Sequence, residues 1–557
     1  MLCVISHDSE VRSSDLPTQR PSSPARRLCA ALAGFLAAAV ALGVAELVAG
    51  LIGPNSSPVI VVGGAVIDLT PRPVKDFAIA TFGESDKIAL VVGTLILIVV
   101  FAIVIGLASL RRRAIGVAGV GLFGLVGALA AVTRPAGGVL DALPAMVGAA
   151  AGCVALVAMI RPLTGTEDPA DEPAERDTRR EAGTLASVRA ALGHRDRKGT
   201  SLSRRGFFVA SGLAAGVAAV AGGAGTLLQR RFNVGEARSA LDIASPADAA
   251  PPLPAGADLA ERIDGLTPLF TDNAEFYRVD TAITVPQVSP ADWSLRIHGR
   301  VDNEMRLSFD DLMQRDDLIE RDITLSCVSN TIGGDLTDGA RWIGVPLANL
   351  LEEAGVESGA DQVLTTSVDG WTCSTPTEDC LRVENAMLAF SMNGEPLPTD
   401  HGFPVRMIVP GLYGYVSATK WIVDLELTSF DEVDAYWTER GWDATAPIKT
   451  FSRIDVPASV GVAAGEINIA GVAWDQSVGI ERVEVQIDGG DWTEAELAPE
   501  TNVQMWRQWV LPWQADTGQH TLAVRATNKD GRTQTDERVD PFPNGATGWH
   551  TVQVFIQ

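Results

Sequence analysis

The sequence predicts an N-terminal transmembrane α-helical bundle, an α+β domain after it, and a C-terminal immunoglobulin-like β-sandwich. Three observations carry that prediction. Every long apolar run lies before Phe232, whereas all 12 Trp lie at or after Trp293, so two chemically different objects are joined in one chain. Between residues 276 and 446, short alternating runs are mixed with helical segments, the pattern of an α+β domain. From Pro447 onward only short strands separated by turns remain. With 557 residues there is room for two or three domains, and 46% hydrophobic composition is high for a wholly soluble chain. The net charge of -25, with no basic domain to offset it, excludes nucleic-acid binding.

In chain order, residues 1–29 read as a polar cytoplasmic tail and 30–160 as a four-helix membrane region. The crossings are 30–53, 88–110, 114–132 and 140–160, each long enough for a hydrocarbon layer of about 30 Å. Residues 58–69 are apolar but short, and Pro71 and Pro73 follow, so 54–86 reads as an external loop. Residues 161–205 read as a cytoplasmic loop ending in a basic cluster, and 206–230 as a fifth transmembrane helix. The cations at 27, 111–113 and 161–205 place those segments inside and everything after Arg231 outside. The chain therefore reads as a multi-pass plasma-membrane protein with its folded part extracytoplasmic, and with the lipid bilayer as a partner. A buried soluble helix is the other reading of 207–228. Arg204-Arg205 before an apolar run reads either as a twin-arginine export signal or as an ordinary basic flank. Glu46 marks either a partner or proton path or a helix interface. None of the six His, at 7, 194, 298, 401, 520 and 550, falls in a crossing, which excludes a bis-His haem in the bundle.

Residues 231–275, rich in Pro, Ala and Asp, read as a linker. The α+β domain follows over 276–446. Residues 293–299, 322–328, 361–368, 404–409 and 421–427 read as strands, and 346–355 and 383–390 as helices. Ser308 followed by two acids reads as a capped helix start. In the sandwich, 447–557, the strands fall at 467–472, 480–487, 505–511, 520–527 and 549–555. Asp488-Gly-Gly and Lys529-Asp-Gly are hairpin-type turns.

Six Cys are present. Cys373 and Cys380 are external, seven apart, and can pair. Cys327 is then the odd external thiol, just past a short apolar run. No second Cys or His lies within a few residues of it, so it is not a zinc pattern. A lone thiolate suits a soft metal that brings most of its own ligands; the other reading is an inert buried Cys.

Several motifs converge here: Cys327-Val-Ser-Asn330, Trp342-x-Gly344-Val-x-Leu347, Met392-Asn-Gly-Glu-Pro-Leu-Pro398, Asp400-His-Gly-Phe-Pro-Val-Arg406, Val409-Pro-Gly411 and Lys420-Trp421. Together they resemble the sulfite oxidase family of molybdopterin-dependent oxidoreductases, in a bacterial membrane-anchored variant. Residues 447–557 are similar to that family's dimerisation domain, through Ala473-Trp-Asp, Trp506-Arg-Gln-Trp509 and Gly548-Trp-His550. The resemblance covers about 270–557. It implies a molybdenum–molybdopterin cofactor bound by 276–446, with Cys327 as the protein ligand of the metal. His401 and Arg406 take the places that hold the pterin and its phosphate, Lys420 resembles a cofactor-contacting Lys, and Asn330 stands beside the ligand, with a place in both catalysis and cofactor binding. Arg suits a phosphate because its planar fork matches two oxygens at once.

The departures concern substrate. Asp280 stands where sulfite oxidases proper carry an Arg, and Thr331 and Ile332 replace a following Arg pair. Trp442 stands at the place of a Tyr, and Gln476-Ser-Val-Gly479 lacks a further Arg. Arg278 and Arg341 are the candidate catalytic cations that would compensate. The resemblance implies two-electron oxygen-atom transfer on a small oxyanion such as sulfite, or the reverse on an S-oxide or N-oxide. A non-catalytic membrane scaffold is the reading from another class. No Cys-x-x-Cys-His motif is present, and the external Cys leave no set for an iron–sulfur cluster beside a metal ligand. The redox partner is thus expected to be separate: a cytochrome, a membrane subunit or a quinone. A homodimer is a further implication of the C-terminal domain.

Overall fold

The computed structural model describes residues 23–53, 56–71, 74, 86–134, 137–164 and 204–557. Most of the expected cytoplasmic tail, much of the 54–86 loop and nearly all of the 161–205 loop lie outside the described residues. The chain divides into two compact units, Met1–Thr133 with Gly137–Gln229, and Arg134–Ala136 with Arg230–Gln557.

The first unit contains α1 (Pro24–Ile52), α2 (Pro58–Leu69), α3 (Asp86–Ser109), α4 (Arg113–Thr133), α5 (Leu143–Thr164) and α6 (Arg204–Gln229). All but α2 are long and apolar enough to cross a membrane, by length and composition. Residues 58–69, expected within a loop, are helical: Pro58 opens the helix at N1 and the run is apolar on every side, which length alone had argued against. The packing centres on α1, whose Ala30, Ala33 and Ala37 are buried. A Cβ on Gly34 would collide with the Ala102 carbonyl of α3, so glycine is what permits that close approach. Glu46 sits at a helix junction, accepting from Ser57 Oγ at 2.5 Å and from Gln229 Nε2 at 2.8 Å.

The second unit begins with β1 (Ser294–Gly299) and β2 (Met305–Ser308). It continues through β3 (Ile319–Ser326), β4 (Thr337–Pro346), β5 (Gln362–Ser367), β6 (Thr372–Pro376), β7 (Met387–Met392), β8 (Glu395–Pro396), β9 (Arg406–Ile408) and β10 (Ile422–Thr428). One sheet runs β2-β1-β10-β5-β6, with β1 and β10 parallel; the other runs β3-β4-β7-β8, with β9 also on β7. A helix at Leu347–Ala354 buries Leu347, Leu350, Leu351 and Ala354 and ends at Gly355 in the left-handed region. The expected strands at 293–299, 322–328, 361–368 and 421–427 are present within a few residues. Residues 383–390 are the exception: the expected helix is instead turn and the start of β7. All six side chains of β7 are buried, so it has no alternation, and Met, Leu and Ala favour helix when read locally.

Eight further strands follow: β11 (Phe451–Val456), β12 (Gly465–Trp474), β13 (Ile480–Ile487), β14 (Trp492–Glu494), β15 (Glu496–Leu497), β16 (Arg507–Ala515), β17 (Gly518–Asn528) and β18 (His550–Ile556). They form two four-stranded antiparallel sheets, β11-β12-β16-β15 and β14-β13-β17-β18. Both contribute to one core around Ile469, Val483, Trp509 and Val524. A second core joins these sheets to the first half of the unit through Val328, Tyr413, Val416, Trp474 and Trp506. The expected linker also packs down. Leu259, Leu266 and Leu269 are buried, and Gln508 bonds Asp258, Leu259 and Thr267. Cys373 and Cys380 are both buried free thiols.

Candidate functional site

Cys327 is the first residue beyond β3, at the mouth of a loop that returns as β4. Its backbone N–H donates to Leu336 O at 2.9 Å, closing the loop at its base. Asn330 locks the interior: its Nδ2 donates to Thr337 Oγ1 at 3.0 Å, and its Oδ1 accepts from Leu336 N at 3.1 Å. Asn330 thus holds the loop shape from within. The C-terminal strands brace the outside, where Arg453 Nη1 donates to Gly334 O at 2.9 Å. The Cys327 thiol lies 2.8 Å from Ser329 Oγ; burial pushes its pKa up, and the Ser329 hydrogen bonds and Lys420 pull against that.

The second half of the site is the turn between β8 and β9. Gly402 has φ +110, and a Cβ there would meet Arg406 Cβ at 3.0 Å and Lys420 Cα at 3.2 Å. Glycine therefore serves twice, for the backbone angle and for the approach of Lys420 to the turn. His401 is buried, and its Nε2 is 3.1 Å from the Asn273 carbonyl, so Nε2 carries the proton and Nδ1 is bare. Burial, with Arg406 and Lys420 nearby, pushes its pKa down to about 3, and the ring is neutral.

Arg406 is the most informative group. Its guanidinium lies 5.2 Å over the Trp342 ring and donates to His401 O at 3.2 Å. Its Nε is buried with no partner, and burial pushes the pKa down to about 10. No carboxylate bonds it among the described residues. A buried, incompletely bonded guanidinium is costly unless an anion completes it.

Lys420 donates to Asp280 Oδ2 at 2.7 Å and to the Asp400 carbonyl at 3.2 Å. Burial lowers its pKa to about 8, with Asp280 opposing the shift. Arg278 pairs with Asp280 at 2.8 Å and approaches Asp400 at 3.6 Å.

The structure therefore joins His401, Arg406, Lys420 and Arg278 through the turn and Asp280, with Cys327 within electrostatic reach of Lys420. It does not bring Arg341 there. Arg341 lies on β4, opposite Asp322 in the register, and bonds that carboxylate at 2.7 and 3.0 Å. Four residues separate it from Thr337 at the Cys327 end, roughly 13 Å of strand. The side chain is turned to a structural partner. Tyr277 is the residue that motif reading missed. It is half-buried, its phenol within electrostatic reach of Cys327, Arg406 and Asp338, and desolvation pushes its pKa well up. Its ring stacks on Phe276 at 5.4 Å, and Phe276 meets both His401 and Trp342 edge-on. The signal was an aromatic pair placed directly before Arg278.

Comparison with known proteins accords with this geometry. The family description "Oxidoreductase molybdopterin binding domain" matches residues 282–437. The uncharacterized oxidoreductase YuiH of Bacillus subtilis is 35% identical over 150 residues, covering 27% of this chain and 72% of that protein. The chain belongs to the sulfite oxidase family of molybdopterin-dependent oxidoreductases. Mitochondrial sulfite oxidase of Homo sapiens is 28% identical over 330 residues, 49% of this chain, and the chain spans only 59% of that relative's length. The solved sulfane dehydrogenase SoxCD from Paracoccus pantotrophus aligns with 52% of this chain and 82% of its own, at 23% identity and a TM-score of 0.47.

Membership of the sulfite oxidase family implies a molybdenum–pterin cofactor. The residues present fit it. One soft thiol stands alone, with no cluster of three His, Cys, Asp or Glu to hold a metal among the described residues. The orphaned Arg406 Nε suits a phosphate oxygen, and the bare His401 Nδ1 suits a ring N–H.

Proposed function

We propose that this member of the sulfite oxidase family is a membrane-anchored molybdenum oxidoreductase. It carries out two-electron oxygen-atom transfer on a small sulfur oxyanion outside the cytoplasm, with sulfite oxidation as the first reaction to test. The observation that carries the reading is Arg406, a buried guanidinium lacking an anion, with Tyr277 within electrostatic reach of both it and Cys327. The bound cofactor supplies the oxygen-atom transfer and holds the two electrons.

The chain's own part is to bind and orient. Cys327 ligates the metal through its sulfur, and the Ser329 hydroxyl donates to that sulfur. Arg406 takes the phosphate with its fork, His401 accepts from the pterin through Nδ1, and Lys420 adds a charge fixed by Asp280. Asn330 keeps the ligand loop from shifting. Residues 276–446 form the cofactor-binding domain, and 447–557 an immunoglobulin-like dimerisation domain. Five apolar helices and the cation distribution support an anchor with the catalytic unit outside. Electrons leave to a separate cytochrome, membrane subunit or quinone.

One observation favours a second reading, reduction of an S-oxide or N-oxide. Asp280 pairs with both Lys420 and Arg278, and Asp400 lies 3.6 Å from Arg278, so two carboxylates offset the two cations and leave less positive charge for a sulfite dianion. The test is metal analysis of the full-length protein and Cys327→Ser, made in a host that synthesises the cofactor, with sulfite-dependent reduction of an artificial acceptor. About one molybdenum per chain, lost or spectroscopically altered in the variant, is the expected result. Molybdenum with turnover only on S-oxides or N-oxides selects the second reading. Wild-type protein without molybdenum overturns both.

A further inference from the structure

Gly548-Trp-His550, at the start of the last strand, meets the Cys327 loop. Three consecutive loop residues, Ile332, Gly333 and Gly334, each face a different partner from the C-terminal strands. A Cβ on Gly548 would lie 2.7 Å from Ile332 Cδ1, so glycine admits that side chain. Arg453 Nη1 donates to Gly334 O at 2.9 Å. Between them, Gly333 lies so close to His550 that a Cβ would collide with Nε2, Cδ2 and Cε1 of the imidazole. The bare Cα of Gly333 therefore rests on the far edge of that ring.

The ring is itself held. His550 is the first residue of β18 and pairs with Val524 of β17. Its imidazole reaches the opposite sheet, where Nδ1 accepts from Ile454 N at 3.0 Å. β11 is the edge strand of that sheet, and the imidazole gives this backbone donor a partner. Because Nδ1 accepts, the ring proton sits on Nε2, and burial holds the pKa below the ordinary histidine value.

The ligand loop has little slack to absorb a shift at Gly333. Two turns run through it: Gly334 N donates to Thr331 O at 3.0 Å, and Asn330 N to Cys327 O at 3.1 Å. A Cβ on Gly334 would collide with Asn330 Oδ1, the same oxygen that accepts from Leu336 N. Displacement of Gly333 thus passes through Gly334 and Asn330 to Cys327.

We infer that His550 is a positioning residue for Cys327: its imidazole is the wall against which the ligand loop seats, and it fixes where the sulfur stands. The inference rests on the reading of Cys327 as the metal ligand, and it gives the C-terminal strands a part in the metal centre.

The two ends of the imidazole can be tested apart. His550→Asn keeps an acceptor for Ile454 N but removes the wall. His550→Phe keeps a wall but removes the acceptor. Both are expected to lose stability, one through a cavity and the other through a stranded N–H, so stability alone does not separate them. Full-length protein, made in a host that synthesises the cofactor, is partly reduced with dithionite at a temperature where every variant is folded. Paramagnetic resonance of the metal then reads the geometry of its sulfur ligand. His550→Asn is expected to shift the g values or to lower the metal content about tenfold, and His550→Phe to keep the wild-type signal. In cofactor-free protein, alkylation of Cys327 by iodoacetamide, followed by mass spectrometry, is expected to run about fivefold faster in His550→Asn than in wild type, and within about twofold of wild type in His550→Phe. A wild-type signal in His550→Asn, or a change in His550→Phe as large as in His550→Asn, overturns the inference. Wild-type protein without molybdenum sinks the proposed function instead. The alkylation rates then decide the role of His550 alone, and equal rates in all three proteins overturn it.

Discussion

Lys420 and Asp280 form a buried ion pair, Nζ to Oδ2 2.7 Å apart, with no more than a tenth of either side chain exposed. Asp280 also accepts from Arg278, so one carboxylate fixes two cations at the edge of the candidate cofactor site. Breaking such a pair from one side strands a buried charge, which costs about 3–5 kcal/mol. Asp280→Asn keeps the shape and a hydrogen bond, so a loss of about 2–4 kcal/mol is expected. All 12 Trp lie at or after Trp293, so tryptophan emission during denaturant unfolding reads this unit alone. Pterin content is expected to fall in parallel. Asp400→Asn, which removes a half-exposed carboxylate, should change stability by less than about 1 kcal/mol.

Arg406 sets function against stability. Its guanidinium is buried without an anion, so the cofactor-free protein bears the desolvation penalty unrelieved. Arg406→Met fills similar space without charge. The cofactor-free variant is expected to be more stable than wild type by about 1–3 kcal/mol, while its pterin content drops to background. Equal stability with retained pterin would show that the phosphate is held elsewhere.

Much of this architecture is legible in the sequence, for identifiable reasons. Helices of pure hydrocarbon and strands such as β13, with Val483 and Val485 inward and Glu484 between them, announce themselves by periodicity. Cys327 at the end of β3, and His401 and Arg406 in one turn, followed from intact motifs. What was illegible depends on distant partners. β7 is buried on both faces and so shows no alternation. Arg341 looks like a free cation until the register of β3 and β4 sets Asp322 opposite it. Residues 231–275 look like a linker because apolar residues such as Leu259, Ile263 and Leu266 are scattered without a period and find a surface only once the C-terminal strands exist. Tyr277 becomes informative only when the Cys327 loop and Arg406 close around it.

His401 gives the pH dependence. An unfolded histidine titrates near 6.5, and the buried ring near 3. Between those values the unfolded chain binds more protons than the folded one, so stability rises with pH across the window and is lost as pH falls from about 6.5 toward 3. The size is a few kcal/mol for a shift of this order. Unfolding of the cofactor-free protein at a series of pH values should show that slope, and His401→Asn should flatten it. A slope unchanged by the substitution would mean that other groups carry the acid sensitivity.

Arg341 tests the division between structural and substrate-facing cations. Its ion pair with Asp322 spans β3 and β4, and the Asp322 side chain is only 4% exposed. Arg341→Gln strands that carboxylate, so a loss of about 2–4 kcal/mol is expected. Because Arg341 is absent from the cluster around Cys327, the Michaelis constant for any oxyanion substrate should stay within about twofold of wild type, measured at a temperature where the variant is fully folded. Arg278→Gln should do the reverse. That residue pairs with Asp280 and Asp400 beside Lys420 and is partly exposed, so its removal should cost little stability but alter substrate or cofactor binding. A large rise in the Michaelis constant for Arg341→Gln, with Arg278→Gln unaffected, would return Arg341 to the substrate site and require β4 to move in the cofactor-loaded protein.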